Sequence, residues 1–145
     1  MVDGGGDGLD DAGVTVAAAL SPQRTQQFWN SVLESNVDIF VIRGTTVSAE
    51  HVSSRAEPLN LKRFIYELEV PVIVGGAASY TAALHLMRTG AAGVLVGFGG
   101  GAAHTTRAST GIHAPMASAI ADVAGATGQA IVRAIVAGER DPAVL

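Results

Sequence analysis

Cysteine is absent from the chain. That excludes disulfides, thiolate metal ligands and any covalent thiol mechanism carried by this polypeptide. Histidine occurs four times, at 51, 85, 104 and 113. No two of these form an HxxH or HxxxH pair, so a zinc site is not expected. Charge is scarce: 15% of residues are Asp, Glu, Lys or Arg, with a formal net charge of -4. That balance gives no general reason to bind nucleic acid or an anionic membrane, although Arg43 and Arg107 can each meet a phosphate. No apolar run reaches about 18 residues, so no membrane span is expected. The opening "MVDGGGDGLDDAG" is acidic and glycine-rich and lacks the basic-then-apolar order of a secretory leader, so a cytoplasmic location is expected.

What is present is apolar and glycine-rich. The 145 residues are 48% hydrophobic and include 18 glycines, enough for one compact core behind a flexible lead-in over residues 1–13. Four runs of strand length follow: "VTVAAAL" (14–20), "VDIFVI" (37–42), "VPVIVGG" (70–76) and "AGVLVGFG" (92–99). The last three are nearly continuous in apolar character, as strands buried on both faces are. Helical patterns separate them. Ser21 can cap a helix with Pro22 at its first position, and Phe28 and Trp29 then pack toward the sheet. Asn60 can cap a helix whose apolar residues Leu61, Phe64, Ile65 and Leu68 fall on one face, with Pro71 soon after. Ser79 starts a third helix, which Gly90 ends in a left-handed conformation. Regular βαβα alternation predicts a parallel α/β sheet. Four such units make about half of a (β/α)8 barrel, which needs roughly 250 residues; an open doubly wound sheet fits the pattern as well. Both architectures bind ligands beyond the carboxyl ends of the strands. Attention therefore falls on "RGTTVS" (43–48), "GGAAS" (75–79) and the glycine loop after the fourth strand.

That loop, "GFGGGAAHTTRASTG" (97–111), has two readings on chemistry alone. Consecutive glycines let backbone N–H groups form a nest for an anion, with carbonyls on the other side for a cation. Thr105, Thr106 and Arg107 add hydroxyls and a fixed positive charge. Alternatively the stretch is only a loose connection, since "HTTRASTGIHAP" is a poor helix start and a dinucleotide fingerprint needs a long helix there.

The stretch "VLVGFGGGAAHTTRASTGIHAPMASAIAD" resembles the signature loop of the IMP dehydrogenase/GMP reductase family. "DAGVTVAAALSPQ" and "EPLNLKRFIYELEVPVIVGGAASYTAALHLMRTGAAGVLVG" look most like its branch of IMP dehydrogenase-related proteins. The resemblance runs from about residue 10 to about 122. It implies a (β/α)8 TIM barrel, here a partial one over 14–122. It also implies nicotinamide-dependent hydride transfer at purine C2 in purine nucleotide (GMP) biosynthesis, with NAD(P) as cofactor and an IMP- or GMP-like nucleotide as ligand. The family loop runs G-x-G-x-G-S-x-C-x-T, with Gly97, Gly99, Gly101 and Thr106 matching. His104 and Thr106 fall at its catalytic positions. Gly75, Gly76, Gly97, Gly99, Gly101, Arg107 and Arg43 fall around the nucleotide. Carbonyls of Gly99, Gly101 and His104 stand where the dehydrogenases hold potassium.

The departures from that pattern are chemical. Ala102 replaces the phosphate-binding Ser, and His104 replaces the Cys that adds to the purine. Leu95 replaces a basic residue before the loop. Arg43 stands in place of an Asp that contacts the nicotinamide nucleotide, and Gly76 in place of an Asn. Neutral imidazole forms no stable counterpart of the thioimidate, and losing a nucleophile costs several powers of ten in rate. Nucleotide binding through backbone N–H groups is thus expected to outlast turnover. His104 suits either general acid–base work, for which imidazole is apt near neutrality, or a solvated place on the loop. Arg43 can pair with a ligand phosphate, with Glu57 or with Asp38; His51 and His113 are expected at the surface. The stretch "DVAGATGQAIVRAIVAGERDPAVL" (122–145) resembles a helical segment of insertion-sequence transposases with a RuvC-like DEDD domain, so an unrelated tail over 123–145 joined to an interrupted barrel is expected. A half-barrel has two open sheet edges, through which homo-oligomers or misassembly follow.

Overall fold

The structure, a computed structural model, describes residues 13–48 and 59–125. Residues 1–12 of the lead-in, His51, Glu57 and residues 126–145 of the tail lie outside the described residues. Four strands, β1 (Ala17–Leu20), β2 (Ile39–Arg43), β3 (Val72–Ala77) and β4 (Gly93–Val96), alternate with helices α1 (Pro22–Leu33), α2 (Leu61–Glu67), α3 (Tyr80–Met87) and α4 (Thr105–Thr110). Residues 116–125 are also helical. All pairings are parallel and the strand order is β1-β2-β3-β4. Sequential order without a reversal point is the singly wound arrangement of a barrel wall, not a doubly wound sheet. The fold is therefore α/β and resembles part of a TIM barrel.

Helix starts follow local chemistry. Asn60 Oδ1 accepts from the Arg63 N–H at 3.0 Å, and Ser79 Oγ accepts from the Ala82 N–H at 3.3 Å, so both expected caps form. Asp122, from the last described helix, accepts the Tyr80 N–H at 2.9 Å and satisfies a second donor of α3. Ser21 departs from expectation: its side chain makes no cap bond. Its carbonyl instead accepts from the Arg24 and Thr25 N–H groups and from the buried Thr25 hydroxyl at 2.9 Å. Pro22 already presets the first helical φ, so the helix starts without the side-chain bond. Gly90 ends the α3 segment at φ +95°.

The core lies between the helices and one face of the sheet. Phe40, Ile42, Val72 and Val74 are buried there against Leu61, Phe64, Ala83 and Leu86. Trp29 meets Phe64, and Phe64 meets Phe40, each edge-on with centroids 5.9 Å apart. Trp29 thus packs as expected, but Phe28 does not: it is exposed, with the Arg24 guanidinium 6.0 Å from its ring centre. The strands are not buried on both faces. Ile39, Val41 and Ile73 on the opposite face are only half-buried, because no helix among the described residues covers them. The first strand is shorter than its apolar run. Asp38 Oδ2 takes the Val16 N–H at 2.7 Å, while the Val16 carbonyl still accepts from the Asp38 and Ile39 N–H groups at 2.9 and 3.1 Å.

Candidate functional site

Backbone bonds between the strand ends build a rim. The Gly44 N–H donates to the Gly75 carbonyl at 2.8 Å, and the Gly76 N–H donates back to Gly44 at 3.2 Å. The Val47 N–H reaches the Gly76 carbonyl, and the Gly97 N–H reaches that of Ala77 at 2.6 Å. The β3–β4 register slips between Gly75 and Ala77, so Gly76 is the extra residue that turns the end of β3. A Cβ on Gly76 would stand 2.5 Å from the Gly97 carbonyl oxygen. Only glycine lets these two strand ends meet.

A cleft of about 600 Å³ opens on this rim, between the β2 end and the glycine loop. The loop turns through Gly97 at φ +86° and Gly99 at φ +63°. It then folds back, and the Phe98 carbonyl accepts from the Ala114 N–H at 2.9 Å. Gly99 is buried against Ile112 and His113. The N–H groups of Gly99 and Gly100 take no partner among the described residues. These consecutive donors sit on a wall whose fixed charge is Arg43, and no carboxylate among the described residues lines it. That combination suits an anion.

His104 is not loose on the loop. It stands at the N-cap of α4 with extended backbone, and its Nδ1 accepts from the Gly101 N–H at 2.9 Å. Its own N–H donates to the Gly101 carbonyl at 3.3 Å. A Cβ on Gly101 would come within 2.5 Å of Nδ1, so the ring can seat there only over a glycine.

Of the residues singled out from sequence, Arg43, Gly76, Gly97, Gly99, His104 and Thr106 line the cleft. Gly75, Gly101 and Arg107 do not. Gly75 packs under Leu95, where a Cβ would lie 2.6 Å from the Leu95 carbonyl oxygen. Gly101 is occupied with His104. Arg107 is exposed on α4, its carbonyl taken by the Gly111 N–H. The short helix that carries it was not expected; Gly111 closes it at φ +71°. Arg43 makes no ion pair among the described residues, and Asp38 is turned to Val16. His113 is exposed, as expected. Sequence reasoning missed Met116, whose sulfur would lie 2.7 Å from a Cβ on Gly97. Nothing in its spacing signals the site; only the fold-back of the loop brings it there. Among the described residues no three His, Asp or Glu side chains group as metal ligands, and no helix is long and apolar enough to cross a membrane.

Comparison with known proteins gives these sites a context. A model described as the IMP dehydrogenase / GMP reductase domain matches residues 9–140. An uncharacterized oxidoreductase of Mycolicibacterium smegmatis is 52% identical over 119 residues, covering 81% of this chain and 32% of the relative. Inosine-5'-monophosphate dehydrogenase of Pasteurella multocida is 31% identical over 113 residues, 78% of this chain and 22% of that protein. The chain therefore spans about a third, or less, of the length of these curated relatives. The crystal structure of an IMP dehydrogenase/GMP reductase-like protein from Corynebacterium glutamicum superposes with a TM-score of 0.69 at 43% identity, over 88% of this chain and 32% of that one.

Proposed function

The chain belongs to the IMP dehydrogenase/GMP reductase family, and we propose that it carries the mononucleotide-binding part of an oxidoreductase barrel: the cleft binds the phosphate of a purine nucleotide, and this chain alone turns it over slowly or not at all. The observation that carries the reading is the cleft itself. Gly99 and Gly100, whose N–H groups take no partner among the described residues, line a cleft shared with Arg43, Thr45 and Thr106, and no carboxylate among the described residues lines it to repel an anion. Phosphate supplies the charge and acceptor oxygens that such donors need. The purine and ribose extend over the open rim.

The hydride-transfer half of the reaction fits this chain poorly. With no cysteine, no thiolate is at hand to add to purine C2. A nicotinamide cofactor would accept the hydride in the family reaction. Its expected carboxylate contact is here the cation Arg43, which matches a phosphate rather than a ribose or amide. For potassium, the Gly101 carbonyl accepts from the His104 N–H and would keep its second lone pair for the ion.

Thermal-shift and calorimetric titration with IMP, GMP and inosine test the binding reading. Stabilisation by the nucleotides but not by inosine is the expected result, with no NADH formed from IMP and NAD above a protein-free blank. Equal response to inosine, or no response at all, overturns phosphate binding. NADH formation at a rate matching that of a full-length dehydrogenase overturns the claim of slow or absent turnover.

A further inference from the structure

We propose that His104 is a tautomer-locked phosphate donor, held by Gly101 so that it is neither base nor nucleophile; the proposal rests on the phosphate-binding reading above. A neutral imidazole has one ring nitrogen that donates and one that accepts. The Gly101 N–H can only donate, and it points at Nδ1 from 2.9 Å. Nδ1 is therefore the acceptor, and the proton resides on Nε2. This single contact occupies the Nδ1 lone pair and leaves the neutral ring's proton on Nε2, so the neutral ring has no free lone pair for proton abstraction or for attack on a purine carbon.

What the ring retains is an N–H donor. His104 lines the cleft, and Nε2 takes no partner among the described residues. The position two residues earlier, Ala102, has no side-chain donor to offer an anion. His104 supplies one from the same loop, in the cleft also lined by Gly99 and Gly100, whose N–H groups take no partner among the described residues. The turn is held from both ends: Gly101 N–H to Nδ1, and His104 N–H back to the Gly101 carbonyl at 3.3 Å. Gly101 is then a positioning residue whose lack of a side chain seats the ring, since a Cβ would come within 2.5 Å of Nδ1 and 2.9 Å of Cε1. Sequence position alone presents His104 as a lost nucleophile; the geometry points to a gained phosphate ligand.

Two side chains separate the ring's two ends. Asn at 104 keeps an acceptor near the Nδ1 position and loses the outer donor. Gln keeps a donor near the Nε2 position and loses the Gly101 contact. The expected results are IMP binding weakened roughly tenfold or more in His104→Asn, as for loss of a hydrogen bond to a charged acceptor, and a smaller loss in His104→Gln. Gly101→Ala weakens IMP binding as His104→Asn does. Two-bond 1H–15N spectra of the wild-type chain show the Nε2–H tautomer, a readout independent of any ligand. An Nδ1–H tautomer overturns the lock. Wild-type IMP binding matched by His104→Asn overturns the donor role while leaving the proposed function standing. A wild-type chain that binds no phosphate at all overturns both.

Discussion

Gly76 shows how much a single residue decides here. The Gly75–Gly76 pair is visible in sequence as punctuation at the end of an apolar run. Sequence does not show that the second glycine lies against the Gly97 carbonyl oxygen, which a Cβ would approach to 2.5 Å. The blocking atom is backbone, so it cannot swing aside as a side chain would. Gly76→Ala is expected to destabilise the chain by about 1–3 kcal/mol, as overpacking does, and to disturb the cleft. Gly93→Ala serves as the control. Its Cβ would meet Ile73 at an ordinary 3.5 Å, so its unfolding midpoint in urea should stay close to wild type while that of Gly76→Ala falls. Equal midpoints would mean that the two strand ends can separate without loss.

At the scale of elements, the helix starts divide by where their partners come from. Asn60 and Ser79 were legible because a side-chain cap reaches a backbone N–H only three residues ahead. Ser21 has the same cap chemistry and the same extended backbone, yet its hydroxyl makes no such bond. The consequence is measurable: Asn60→Ala should cost about 1 kcal/mol of stability, and Ser21→Ala much less, by chemical denaturation of each variant. A Ser21→Ala loss as large as that of Asn60→Ala would contradict the cap assignment. The remaining elements were harder to read for a physical reason. Helix α4 has six residues and a β-branched start, so its propensity is low. It is closed by Gly111 in left-handed conformation and by the Thr110 hydroxyl on the Thr106 carbonyl at 2.7 Å. The Asp122 cap on α3 spans 42 positions, beyond any local pattern. Phe28 was misassigned because it adjoins Trp29 in an amphipathic run; Trp29 packs against the core while Phe28 is exposed.

At the scale of the whole molecule, the parallel sheet and the end of it that carries the site were readable from βαβα alternation, because parallel crossovers leave few alternatives; the strand order was not, since a doubly wound sheet fits the same alternation. The composition of the cleft was only partly readable. Gly97, Gly99, His104 and Thr106 came from one loop with a recognisable spacing, whereas Met116 arrives through the fold-back paired at Phe98 and Ala114. The strands' second face was misjudged, and that has a consequence for assembly. Apolar runs promise burial on both faces, yet Ile39, Val41 and Ile73 remain half-exposed, and β1 and β4 each have a single neighbour among the described residues. In a closed eight-stranded barrel such side chains fill the interior, and parallel sheets occur almost only with both faces covered. A second copy can supply four more parallel strands and two more edges, β4 of one protomer beside β1 of the other. The 145-residue chain is therefore expected to self-associate, with a weight-average mass that rises toward the dimer as concentration increases in size-exclusion chromatography with light scattering. A folded, ligand-responsive monomer at every concentration would refute this, because it would show that four strands with one covered face hold the cleft unaided.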